Sequence, residues 1–326
     1  MDMTTHTNET TRRYLVRPLS DREIETWDSF VAASGSGTLF SLLEYVRHLD
    51  GFRILGAFSG DRLVAGFPVP VIERDGAERV ERTSYLSPYF IPVFAPIEGR
   101  RVYRDRIRRA ILTALIEYIQ SRFGSFILPL HPLIDDMTPF QRAHCNLELR
   151  YTYTLALDSL ERIREEMSSS VRNHIARSRS IDVIIDRELR LFDFARALVY
   201  EPDDHIPPWK HLVRTLVASG RGTPFVALAD GAPVGGLFLA HDHHTAYDLL
   251  SYFDRDSGLR GLPSALIWSA IEHAATLGLG TFDFEGSVLP AIETFFQSFG
   301  GERRPYFQAH WHADPERFEP ILYHYQ

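Results

Sequence analysis

The hexapeptide FDFEGS, residues 282–287, sets two carboxylates, Asp283 and Glu285, between phenylalanines and a glycine. Read as a strand, its period of two puts Phe282 and Phe284 on one face and Asp283 and Glu285 on the other, roughly 7 Å apart. Two acids on the inner strand of a covered sheet are costly unless they face a cleft or find partners. A carboxylate held in that way gains a raised pKa and can take a proton from a nucleophile, or it can anchor an ammonium group. The competing reading is structural, with Asp283 capping the loop into the next helix and Glu285 paired with an arginine.

Three further groups carry candidate chemistry. Arg172, Arg177 and Arg179 fall in a stretch without acids, and on a helix Arg172 and Arg179 share a face, which suits a phosphate or carboxylate ligand. The alternative is a solvated face, because Glu161, Glu165, Glu166, Asp182 and Asp186 flank it. Tyr85, Ser87 and Tyr89 in YLSPYF, with Tyr247, Asp248 and Tyr252 on a later strand, have the apolar walls and polar tips of an acceptor cleft. Most of these tyrosines serve equally well as core aromatics, whereas Asp248 interrupts an otherwise apolar strand. The run His241, Asp242, His243 and His244 invites a metal, yet donors crowded into one turn rarely close a tetrahedral site, and a hairpin turn is the better reading. No metal site is expected, and no nucleophile elbow, Gly-Lys-Ser/Thr phosphate loop or His-Glu-x-x-His helix is present.

The elements that must position these groups look duplicated. Residues 57–67 and 227–237 share the rhythm strand, tight turn, strand, with Ala57/Ala227, Val64/Val234 and Gly66/Gly236 matched at an offset of 170. Downstream of each, a long helical pattern leads into a short apolar strand (together 107–130 and 262–287), and an offset of 156 matches Gly124 with Gly280 and Phe126 with Phe282. That offset sets Asp283 and Glu285 against Ile127 and Pro129, so the acids belong to the second copy alone. The plan is an α/β (α+β) chain with a mixed sheet in each half: a loose tail at 1–13, one domain at 14–150 and a second at 151–326. In the second, a strand at 150–157 precedes a helix from Asp158 to about Ser180, with Asp158 as N-cap and Glu161 three residues on. Further helices are expected at about 189–200 and 208–219.

At 326 residues and 37.3 kDa the chain has ample length for a real core. Hydrophobic residues at 44% and charged residues at 24% exclude wholesale disorder. The lone Cys145 excludes an intrachain disulfide and fits a reducing, cytoplasmic address. A net charge of −8 argues against a DNA-coated protein, and no apolar run is long enough for membrane insertion. Lys210 is the only lysine, which leaves almost no candidate for Schiff-base chemistry.

Four pieces carry a family resemblance: SSSVRNHIARS (168–178), APVGGLFLA (232–240), FDFEGS and FFQSFGGERRPY (295–306). Together with the order strand pair, long strand AYDLLSYF, helix and strand, they resemble the GNAT acyltransferase superfamily, and the doubled arrangement resembles FemABX-like proteins with two GNAT-like domains in tandem. The resemblance implies an N-acyltransferase forming an amide on a small-molecule or peptide amine, with acyl-CoA or aminoacyl-tRNA as donor and no permanently bound cofactor. It implies that Arg172 contacts a nucleotide-bearing substrate, and that Ser287 lies with Asp283 and Glu285 at the substrate. Arg255, Gly258, Arg260 and Gly261 would hold the donor's phosphates at the opening of a helix. Strand N–H groups near residues 249–253 would stabilise the oxyanion. A rival of another class is a binding module that keeps the cleft without turnover.

Overall fold

A computed structural model describes residues 14–48, 51–74, 76–81, 86–178, 180–197, 207–254, 256–286 and 290–314. It divides into two compact units, residues 1–149 with 306–326, and residues 150–305. The sequence-based plan ran the second domain to residue 326. The chain's last strand departs from that plan because its Gln308–His312 portion pairs antiparallel with Ser125–Pro129, and Ala309 is buried in the first unit's core.

In the first unit, β1 (Leu15–Pro18), β2 (Phe52–Ser59), β3 (Arg62–Pro70) and the short β6 (Val93–Phe94) form an antiparallel set in the order β1-β2-β3-β6. Between β3 and β6 the chain makes β4 (Ile72–Arg74) and β5 (Ala77–Glu81), and β5 runs parallel to β7 (Ser125–Pro129). Helix α1 (Trp27–Ser34) and the long helix α2 (Arg101–Arg122) cover these strands. Ile111, Leu115 and Ile119 recur at helical spacing along α2 and are buried with Leu55, Phe67 and Phe126.

The second unit opens with β8 (Asn146–Ala156). The single helix expected at 158–180 is in fact two, α3 (Leu160–Glu166) and α4 (Ser169–Arg177). Ser159 and Ser168 cap them, accepting hydrogen bonds from the Arg162 and Val171 amides, so Ser159 takes the N-cap position assigned to Asp158. Next come β9 (Ile181–Ile185), α5 (Arg190–Ala197), α6 (Pro207–Ala218), β10 (Gly222–Ala229), β11 (Ala232–His241), β12 (Thr245–Phe253), α7 (Leu262–Thr276), β13 (Thr281–Asp283) and α8 (Pro290–Gln297), before β14 (Glu302–His312) leaves the unit. The strand order is β8-β13-β12-β11-β10-β9, antiparallel except for the parallel pair β12/β13. Helix α7 is apolar almost all round because Leu262, Leu266, Trp268 and Ile271 sit in the core against Leu237, Leu239 and Phe282.

The duplication is visible in the hydrogen-bond register. In β2/β3, Ala57 pairs with Ala65 and Phe58 with Leu63, so Val64 is a bulge. In β10/β11, Ala227 pairs with Gly235 and Leu228 with Pro233, so Val234 is the same bulge 170 residues on. Gly66 and Gly236 also correspond in packing. A Cβ at Gly66 would lie 2.2 Å from the Trp27 ring, and one at Gly236 2.6 Å from the Tyr252 hydroxyl.

Candidate active site

The parallel pair β12/β13 is short. Thr245 pairs with Thr281, Ala246 with Phe282 and Tyr247 with Asp283; β12 then continues to Phe253 while β13 stops. On its other edge β12 carries a bulge, since Leu239 pairs with Asp248 and Phe238 with Leu250, leaving Leu249 unmatched. The sheet therefore opens beyond Tyr247 and Asp283, and the bulge re-aims β12 at that point. The first copy closes the corresponding place. There the Phe90 N–H donates to the Pro129 carbonyl (2.8 Å) and the His131 N–H to the Phe90 carbonyl (3.0 Å).

Cross-strand pairing sorts the side chains onto two faces. Asp248 shares the α7 face with its partner Leu239 and with Ala246. It is buried, accepts a hydrogen bond from the Ser251 hydroxyl, and burial pushes its carboxyl up to about 6. Tyr247 and Asp283 lie on the other face. The Tyr247 hydroxyl donates to Asp242 (3.0 Å); burial first, then the Asp242 and Asp283 charges, raise it well above the usual phenol range and keep it a neutral donor. Thr152 of β8 donates to Asp283 (2.6 Å), and the Glu285 amide donates to the same carboxylate oxygen (2.8 Å).

That last bond corrects the expected placement of Glu285. Asp283 draws the amide two residues on into a turn, so the strand ends at Asp283, and Glu285 takes a left-handed φ of 59°. The two acids do not share a strand face. Gly286 follows against the Tyr151 carbonyl, which a Cβ would approach to 2.4 Å. Phe282 and Phe284 do share a face, stacked edge-on in the core.

The other expected contacts have structural work within their own units. Arg172 on α4 folds one guanidinium nitrogen onto the carbonyls of Arg164, Glu165 and Met167, where it caps the end of α3. Tyr252 is buried with its hydroxyl on the Phe192 carbonyl of α5 and its ring edge-on to Phe192. Tyr89 is buried in the first unit among Phe40, His131 and Tyr306. Ser87 is buried in that unit and Arg177 is exposed on α4. Tyr85, Arg179, Arg255 and Ser287 lie outside the described residues.

The loop between β12 and α7 returns to the Asp248 face. Gly258 has a φ of 68°, Arg260 is exposed and Gly261 is the N-cap of α7. The Asp256 amide donates to the Asp254 carboxylate and the Ser257 hydroxyl to the Asp254 carbonyl, which preforms the loop. Gly261 is small for a reason the motif reading missed: a Cβ there would lie 2.8 Å from the His174 carbonyl of α4. In the turn before β12, Asp242 accepts the amides of His244 and Thr245, while His241 bonds to the Asp242 and Gly220 carbonyls. No cluster of three potential metal ligands occurs among the described residues.

Ser251 was not singled out in the sequence, nor was the bulge. The signal for both was present in Leu249-Leu250, a doublet that breaks the alternation of AYDLLSYF. A cavity of about 310 Å³ lies elsewhere in this unit, lined by Thr154, Arg162, Glu166, Thr281, Glu302 and Arg304. Its arginines are already paired, Arg162 with Asp158 and Arg304 with Glu302.

Residues 161–297 match the family model described as acetyltransferase (GNAT) domain. No curated protein matches the chain in sequence. Among solved structures, FemX is similar over 90% of this chain and 96% of its own, with a TM-score of 0.61 and 11% identity. A tandem GNAT protein from the clavulanic acid biosynthesis pathway is similar over 93% and 99%, with a TM-score of 0.57 and 15% identity. L-PGS from Bacillus licheniformis is similar over 87% and 90%, with a TM-score of 0.53 and 11% identity. At these identities the likeness is one of fold, and it spans both units. Residues 161–297 of the second unit thus match a GNAT acetyltransferase domain, and the chain is similar in fold to FemX and to the tandem GNAT protein.

Proposed function

We propose that the second unit transfers an acyl group from a carrier to an amine, in the gap between β12 and β13, with Asp248 as the proton acceptor. The observation that carries this reading is the parting of the two strands beside a buried carboxylate whose pKa sits near 6. In the reaction the amine nitrogen attacks the acyl carbonyl and the C–N bond forms. The bond to the carrier breaks, and the proton lost by the nitrogen passes to Asp248, directly or through a water, and on to the departing carrier atom. Backbone N–H groups of β12 beyond Leu249 serve the developing oxyanion, and most of the acceleration comes from positioning.

Asp283 is a positioning residue in this scheme. It ties β8, the end of β13 and the Glu285 turn together, and Glu285 is offered to the acceptor's ammonium group. Loop 254–261 and the start of α7 take the donor's phosphates on the Asp248 face. The donor is acyl-CoA or aminoacyl-tRNA, and binding separates the two. Ligand at about 100 times its Kd adds roughly 2.7 kcal/mol of stability. A thermal shift with coenzyme A and with acetyl-CoA assigns the thioester, and a shift with charged tRNA alone assigns the ester. Mass spectrometry of reactions with both donors and a panel of amines tests turnover; a ligand-induced shift with no amide product from any amine overturns the enzymatic reading in favour of a binding module.

A further inference from the structure

The segment Arg100–Arg109 packs six arginines into ten residues of a chain whose net charge is −8. Its acids are Asp105 within and Glu98 just before. Residues 101–106 of α2 are all exposed, so the helix overhangs the first unit's core by about 9 Å, at 1.5 Å per residue. At the tip Val102 is 76% exposed and Tyr103 50%, and Val102 is the most exposed large hydrophobic residue among those described. Ion pairing accounts for only part of the charge. Arg101 meets Asp105 and Arg109 meets Asp136, whereas Arg100, Arg104 and Arg106 make no ion pair among the described residues. Cations in the first turn also oppose the helix dipole, at a cost of some tenths of a kcal/mol each, and this turn contains no acid.

Folding of the unit thus gains little from this composition. An aliphatic and an aromatic side chain projecting from a ring of cations match the two layers of a bilayer surface: headgroup phosphates for the guanidinium groups, and the acyl boundary for Val102 with Tyr103 at headgroup level. A phosphate backbone alone would give Val102 no partner. We infer that the exposed start of α2 is a docking surface for a membrane rich in anionic phospholipid. The chain adsorbs there without crossing, since no helix among the described residues is long and apolar enough to span a bilayer. This inference concerns the first unit and stands apart from the proposed chemistry of the second.

The test is co-sedimentation of the full chain with vesicles of phosphatidylcholine alone or with 30% phosphatidylglycerol, at low and high salt. The expected result is binding to the anionic vesicles only, lost at high salt. Each basic residue near such a surface changes binding roughly fivefold. The triple variant R101E/R104E/R106E is expected to lose binding by more than a hundredfold, and V102S/Y103S by several-fold with the charges intact. All these side chains are exposed, and an unchanged melting temperature verifies folding. Equal binding to neutral vesicles overturns the inference, as does full binding by the triple variant. Binding of tRNA in place of vesicles, abolished in the triple variant, also overturns it and makes the patch an RNA surface.

Discussion

Ser251 reaches back across the bulge at Leu249 to donate its hydroxyl proton to Asp248, so the buried carboxylate is held by a residue that an unbulged strand would place elsewhere. Asp248→Asn keeps a hydrogen-bond acceptor for Ser251 and removes the proposed proton acceptor. Turnover is expected to fall about a hundredfold or more, the usual contribution of a general base. Wild-type kcat/KM should rise as pH climbs through about 6, and the variant's profile should be flat there. A variant that retains the rise assigns the base elsewhere.

The same carboxyl makes a stability prediction whose sign is opposite to that of a salt-bridged acid. Its folded pKa of about 6 lies above the ordinary aspartate value of 3.8, so the folded protein holds the proton more tightly and loses stability as pH rises between those values. Two pKa units correspond to about 3 kcal/mol. Asp248→Asn should therefore melt at a higher temperature than wild type at pH 8, with the advantage gone at pH 4. Denaturant melts at both pH values measure it.

Thr152 and the Glu285 amide satisfy Asp283 from two sides. Thr152→Val leaves that buried carboxylate a donor short and is expected to cost about 1–3 kcal/mol. Asp283→Ala should cost at least as much. Asp283→Asn, whose amide oxygen can accept both bonds, should recover much of the stability. If Asp283→Asn is fully stable yet wholly inactive, Asp283 takes part in the chemistry directly.

Arg172 caps the last carbonyls of α3 from the next helix. Arg172→Ala is expected to destabilise by about 1 kcal/mol, the scale of a lost cap, with the same loss in the presence and absence of donor. A variant of normal stability with a KM for donor raised more than tenfold would restore Arg172 to the substrate.

Burial pushes the Cys145 thiol up to about 12. The native protein should react slowly with a disulfide reagent at pH 8 and rapidly once unfolded in urea, because the thiolate is the reacting form. Fast labelling of the native chain would contradict the packing around Cys145.

Local pattern was enough for the elements, the duplication and the resemblance. Alternation and turn residues define hairpins such as Ala227–Leu237, and the offset of 170 matched Val64 with Val234, which the structure shows to be the same bulge. The offset of 156 likewise showed acid at Asp283 and Glu285 where the first copy has Ile127 and Pro129. What sequence periodicity could not supply was the point at which each pattern stops. The strand ends at Asp283 because a side chain captures a backbone amide, and that rotates Glu285 away from the face its spacing assigned. The bulge at Leu249 shifts β12 by one residue and so brings the Ser251 hydroxyl onto Asp248. Arg172 and Gly261 resembled ligand contacts in sequence, but their surroundings are the end of α3 and the His174 carbonyl of α4, neighbours that only folding brings to them. Residue type and spacing decided which groups were available; side-chain capture of the backbone and close helix packing decided which of them were left for chemistry.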